Sequence, residues 1–171
     1  PQPAIRERAS RLFAATNTDR QKVMKEFQTA LSLSGDATRG ATVFTQNCSA
    51  CHRSRGAGNN VGPDLGSMAD KPAASLLVAI LDPSQAVDPA YVLYAGTTRS
   101  GREVGGLIVA ETPNSLTFRN AGGIDETILR ADLRELKSSG LSLMPEGFEK
   151  AIPPQAMADL IAWIRSAGAT P

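Results

Sequence analysis

A single histidine and two cysteines are all the residues of those types among the 171 of this chain, and aromatics make up only 5% of it. Two cysteines close one bridge at most, so no disulfide framework is expected, and the length suffices to bury a core without one. Zinc sites commonly take four Cys or His donors; this chain offers three, plus whatever carboxylate is near. Long apolar runs are also missing. The longest, Ala73–Leu81 and Met157–Ile164, fall far short of the ~20 residues that a membrane span needs. No leader pattern is visible, and the chain opens Pro1-Gln2-Pro3, as a mature protein or an excised piece of a longer one would.

Charge excludes little more. The net charge is +1, with 42% hydrophobic and 20% charged residues, the balance of an ordinary folded protein. Residues 1–55 carry nine basic and four acidic side chains, scattered without aromatic interleaving, which reads as a solvated face instead of a nucleic-acid surface. Neither nucleic acid nor a bilayer is therefore expected as a partner.

Periodicity divides the chain. Residues 4–33 read as two short helices, the first with Ile5, Ala9, Leu12 and Phe13 on one stripe, the second opened by Thr18-Asp19-Arg20-Gln21 and carrying Val23, Met24, Phe27 and Leu31. Asp36 caps a third helix that runs through Gly40 and Phe44 to Cys48. A glycine-rich loop, Gly56 to Asp64, leads to a helix from about Pro72 to Leu81. After Pro89 the period becomes two: Tyr91–Thr98, Arg102–Ala110, Ser115–Arg119 and Ile124–Arg130 are strand-like, with turn compositions between them. A short helical piece over Ala131–Leu136 is expected to close this meander, and a helix over Gln155–Ser166 to end the chain.

Cys48-Ser49-Ala50-Cys51-His52 has the spacing that attaches a c-type haem. At a helix end, positions i, i+3 and i+4 share a face, so two thiols can reach two vinyl groups while the imidazole reaches the iron. Three other readings stand beside this one: a zinc site completed by a carboxylate, a thioredoxin-type redox pair, which would normally follow a strand in a βαβ unit, and two buried thiols beside a core histidine. If haem is bound, His52 is one axial ligand, and a second histidine does not exist. Met24, Met68, Met144, Met157, Lys71, Lys150 or an open position are left. Met24 and Met157 sit on apolar helix stripes and read as core. Met144 precedes Pro145, which forces extended backbone and presents the side chain from a loop; Met68, in the loop before the Pro72 helix, is the rival. A thioether favours ferrous iron and raises the potential, as suits a carrier.

The order Gly40-x-x-x-Phe44, Cys48-Ser49-Ala50-Cys51-His52, Gly62-Pro63-Asp64-Leu65, Met144-Pro145-Glu146-Gly147 and Leu160-Ile161-Ala162-Trp163-Ile164 resembles small monohaem c-type cytochromes of the class I type. That resemblance implies a helix crossing of Gly40 and Phe44 near Trp163. It also implies a hydrogen bond from His52 to the Pro63 carbonyl, Leu65 in the haem wall, and Met144 as second axial ligand. The segment Asp82–Tyr91, the meander and Ser142–Gly147 further resemble the haem-binding domain at the C-terminus of large secreted planctomycete and verrucomicrobial proteins. The implied fold is mainly α: a cytochrome c-like domain over 34–171, interrupted by a small antiparallel β insertion over 89–137, with an N-terminal helical extension over 1–33. The insertion reads as a cap on one haem edge, its alternative being a docking surface; its basic Arg99-Ser100-Gly101-Arg102 turn could steer an acidic partner. The expected cofactor is one covalent haem c held by Cys48, Cys51, His52, Pro63, Leu65 and Met144, with His52 and Met144 on the iron. The expected role is electron transfer, not an enzyme in itself, between a fused or docked dehydrogenase and an acceptor, in the periplasm or outside the cell. The alternative is a five-coordinate haem domain acting on peroxide or sensing a gas.

Overall fold

The computed structural model describes residues 19–168. The expected first helix, with Ile5, Ala9, Leu12 and Phe13, and the Thr18 cap lie outside these residues. Residues 19–27 are helical (α1) and run into a 3₁₀ turn at Gln28–Ser32. Three further helices follow: α2 at Ala37–Asn47, α3 at Ala73–Leu81 and α4 at Pro154–Arg165. The Asp36 side chain accepts from the amides of Thr38 and Arg39, two of the donors that the first turn of α2 leaves open. Pro154 begins α4, where its missing N–H costs nothing.

Helices α2 and α4 cross at a glycine. A Cβ on Gly40 would lie 2.1 Å from the Asp159 carbonyl oxygen and 2.6 Å from the Trp163 Cβ, so only glycine permits this approach. One turn further on, the rings of Phe44 and Trp163 stack with centroids 4.3 Å apart. The buried Asp159 carboxylate locks the crossing: it accepts from Arg39 Nε at 2.7 Å, from Arg39 NH2 at 2.8 Å and from the Asp36 amide at 2.8 Å. Around it Leu77, Leu81, Ile152, Met157, Leu160 and Ile164 form a buried cluster that also takes in Phe27 and Ala30 from the N-terminal segment. Burying each of the larger side chains contributes about 1.5–3 kcal/mol.

Seven strands lie between the helices. Arg53–Ser54 (β1) and Ala57–Gly58 (β2) form a minimal hairpin. Val92–Thr98 (β3), Glu103–Glu111 (β4), Ser115–Asn120 (β5), Ile124–Leu129 (β6) and Leu133–Ser142 (β7) build one antiparallel sheet in the order β6-β5-β4-β3-β7. It has its own core of Val104, Leu116, Phe118 and Ile128, with Leu133 and Leu136 packed against it.

The expectation of a mainly α fold with a small β insertion is therefore wrong. Helical and sheet parts each have a hydrophobic core, and the sheet occupies Val92–Ser142 almost without a break. The segment expected to be helical, Ala131–Leu136, is a 3₁₀ turn at Arg130–Asp132 followed by the start of β7. Between the pairs Thr97↔Glu135 and Thr98↔Leu133 the register slips by one residue at Arg134. This bulge puts Leu133 and Leu136 against the same cluster at a spacing of three, which in sequence imitates a helical stripe.

Candidate functional site: a cavity between the Cys48–His52 turn and the sheet

Helix α2 ends at Cys48, whose amide still bonds to the Phe44 carbonyl. The Cys48 carbonyl then accepts from the amides of both Cys51 (3.0 Å) and His52 (2.8 Å), so one more tight turn carries the whole motif. The β1–β2 hairpin reverses the chain, and Val61 and Gly62 donate to the Cys51 carbonyl at 2.9 and 2.8 Å. This return places the Pro63 carbonyl oxygen 2.8 Å from His52 Nδ1. A carbonyl only accepts, so Nδ1 carries the proton and Nε2 keeps its lone pair. The imidazole is also held from one face: a Cβ on Gly62 would come within 2.5 Å of Cε1, 2.8 Å of Nδ1 and 3.0 Å of Nε2.

His52 is buried, and that burial lowers its pKa, with the bond to Pro63 acting in the opposite sense. The shift favours the neutral ring that metal ligation requires. Burial, with Cys51 nearby, pushes the Cys48 thiol up to about 11, and burial raises Cys51 as well. A redox-active thiol pair needs the reverse shift, toward thiolate. Nor do the described residues gather three or more His, Cys, Asp or Glu side chains into a metal site. The surroundings therefore favour thiols destined for a thioether bond over either thiolate chemistry or zinc.

Cys48, Cys51 and His52 line a cavity of about 530 Å³, within the range of cofactor sites. Its wall is mostly apolar and includes Leu65, Leu76, Ile80, Ile152, Leu160 and Ile164. Pro63, Met68 and Met144 line it too. Met157 is in the helical core, Met24 packs against that core, and Lys71 and Lys150 are exposed. Of the side chains considered as a second axial ligand, only Met68 and Met144 border the cavity. A mostly apolar cavity, two thiols and an imidazole held by the Pro63 carbonyl fit a covalently attached haem, with Cys48 and Cys51 as attachment points and His52 as the nitrogen ligand.

The comparison with known families supports the haem reading over the others. Residues 37–103 match the cytochrome c family. The chain carries a cytochrome c-type domain. Such a domain is an electron-transfer haem protein, and Cys48 and Cys51 fit its haem-attachment motif. No curated protein matches the sequence. Among the described residues, no helix is long and apolar enough to cross a membrane.

The match runs through α2, the haem-attachment turn and α3 into β3 and stops at residue 103, so most of the sheet lies beyond it. Yet the sheet touches the cytochrome c-type site at three places. Leu107, buried on β4, and Tyr91, in the 3₁₀ turn that leads into β3, contribute to the cavity wall. The turn between β5 and β6 reaches the attachment turn, where the Gly122 amide donates to the Ala50 carbonyl at 2.8 Å and Arg119 to the Asn60 carbonyl at 3.2 Å. Strand β7 leads directly into the Met144 loop, whose entry is fixed by Leu143 N–H to the Tyr91 carbonyl (3.0 Å) and Met144 N–H to Ser142 Oγ (3.1 Å). Sequence reasoning found none of these contacts, because an apolar residue on an alternating strand looks the same whether it faces the sheet's core or a cofactor. The basic turn is engaged locally: Arg99 bonds to the Ala131 carbonyl and Arg102 to Glu126.

Proposed function

We propose that this domain carries single electrons through one haem c attached at Cys48 and Cys51, with His52 and Met144 as axial ligands. The bound haem supplies a one-electron iron couple. His52 enters as the neutral imidazole, its orientation set by Pro63 and its face by Gly62. Leu65, Leu76, Leu107 and Tyr91 give the cavity an apolar wall, which disfavours the extra charge of ferric iron and works with a thioether to raise the potential. The observation that carries the choice of Met144 is its loop: it borders the cavity and enters from β7 through two hydrogen bonds. Only one Cys-x-x-Cys-His stretch is present, which supports a count of one haem.

In this reading the sheet is a cap on the haem rather than a partner-docking module, since it supplies wall, attachment-turn contacts and ligand loop together. The cytochrome c-type unit is 34–171, interrupted by the sheet, with residues 1–33 as an extension. The donor is a redox protein, a fused or docked dehydrogenase, and the domain is the carrier part of such a system, as in the large secreted planctomycete and verrucomicrobial proteins it resembles. Covalent haem attachment takes place outside the cytoplasm in most bacteria, which places the protein in the periplasm or beyond.

Parallel Met144→Ala and Met68→Ala variants, each produced with haem attached, test the ligand assignment. Met144→Ala should abolish the far-red ferric band of thioether ligation, lower the potential and open the ferrous protein to carbon monoxide; Met68→Ala should keep the band. The reverse pattern would make Met68 the ligand.

A further inference from the structure

The Met144 loop is tethered on its far side by a residue that belongs to neither the helical site nor the sheet. Arg20, on α1, donates through NH2 to Glu149 Oε1 at 2.7 Å and through NH1 to Glu149 Oε2 at 3.2 Å. Its Nε lies 3.5 Å from Glu146 Oε2, and NH1 also donates to the Leu81 carbonyl at the end of α3, at 3.2 Å. Glu146 and Glu149 stand two and five positions after Met144. The Arg20 and Glu149 side chains are only 15% and 11% exposed, so the pair is sheltered and two-pronged, unlike a surface ion pair. Arg20 holds Glu149 below the usual carboxylate range, which keeps the pair charged at neutral pH.

Arg20 is well placed to control the loop. Between Met144 and Glu149 the chain passes through Gly147 at φ +101°, and the hydrogen bonds that follow, Lys150 to Gly147 and Ala151 to Phe148, are local. The loop is tied to the rest of the protein by Ser142 N–H to Ser84 Oγ and Leu143 N–H to the Tyr91 carbonyl before the methionine, by the packing of Met144 and Phe148 on the helical core, and by the ion pairs of Arg20 after it. We infer that Arg20 is a positioning residue for the Met144 loop, so that the N-terminal segment is a working part of the haem site and not an appendage to it. Tethered to the end of α3 and to both glutamates, the loop can leave only if a sheltered two-pronged ion pair opens first. This inference rests on the reading of Met144 as an axial ligand.

The test uses the haem-loaded full chain and four variants: Arg20→Gln, Arg20→Lys, Arg39→Gln and Met144→Ala. Arg39→Gln removes a different guanidinium, the one on Asp159, and serves as the control for lost stability alone. Two readings are taken: the rate of carbon monoxide binding to the ferrous protein, and the pH at which the ferric thioether band disappears. Arg20→Gln should speed carbon monoxide binding about ten-fold and move the loss of the band to lower pH. Arg20→Lys, which keeps the charge and loses the fork, should fall between Arg20→Gln and the parent. Arg39→Gln should lower thermal stability and leave both readings at parental values. If the parent shows the band, Met144→Ala removes it and Arg20→Gln matches the parent, the inference is overturned while the ligand assignment stands. A band that survives Met144→Ala would overturn both. Equal changes in Arg20→Gln and Arg39→Gln would reduce Arg20 to a general structural role and also overturn the inference.

Discussion

Gly62→Ala is a small change aimed at the orientation of His52. The added methyl would sit 2.5 Å from Cε1 of the imidazole, closer by about 0.9 Å than ordinary van der Waals contact begins. The crowding has no easy outlet. The loop cannot retreat without stretching the Val61 and Gly62 hydrogen bonds to the Cys51 carbonyl, and the ring cannot retreat without pulling Nδ1 off Pro63. Overpacking of this kind costs about 1–3 kcal/mol, and a weakened hydrogen bond adds about 1 kcal/mol. For a protein of this size the sum corresponds to a fall in Tm of roughly 5–15 °C. Thermal unfolding of the haem-loaded protein, followed in the Soret region, gives the first quantity. Nitrogen-15 NMR of the histidine ring gives the second, because the Nδ1 proton should exchange with solvent faster once its partner is displaced. A variant with parental Tm and a parental Nδ1 proton would refute the packing argument and the fixed orientation of the ring.

Gly40→Ala is a test of sign: helix propensity alone favours alanine by about 1 kcal/mol, but the overlap with the Asp159 carbonyl and Trp163 should win. We expect net destabilisation of about 2 kcal/mol in chemical denaturation; a gain in stability would contradict the close crossing. Asp159 should govern the acid limb of stability. Hydrogen bonds from Arg39 draw its pKa down to about 2 from an ordinary 3.8, so its contribution is fully present above the ordinary value and disappears as pH falls through about 2. Asp159→Asn should therefore lower stability at neutral pH and flatten its dependence between pH 4 and 2, and an unchanged acid limb would assign it to other carboxylates.

The attachment turn could be read from the sequence because Cys48, Cys51 and His52 are contiguous and their spacing meets one steric demand. Asp36 as a cap of the helix before them was legible for the same reason, since a cap is local; the crossing of Gly40 and Phe44 with Trp163 came only from the resemblance, because its partners lie far apart in the chain. The sheet was legible as far as alternation lasted. At Arg134 a bulge broke the period, turned a strand into an apparent helix and hid the fact that β7 delivers the Met144 loop. The remaining contacts are 61 to 129 residues apart in the case of Arg20, with Leu81 and Glu149, and 72 apart between Ala50 and Gly122. A partner at that distance leaves no mark in local pattern, and an arginine on a helix looks solvated until the fold brings two glutamates to it.

The central claim is a covalent haem with a histidine and a thioether on its iron. One preparation tests it: protein made with cytochrome c maturation machinery, its oxidised and reduced optical spectra recorded, then extracted with acidified acetone. The account predicts haem that stays with the protein, a low-spin reduced spectrum and a weak far-red ferric band. Haem that extracts freely would contradict attachment at Cys48 and Cys51. A high-spin spectrum would contradict Met144 ligation and favour a reactive haem, and a colourless protein would contradict the account altogether.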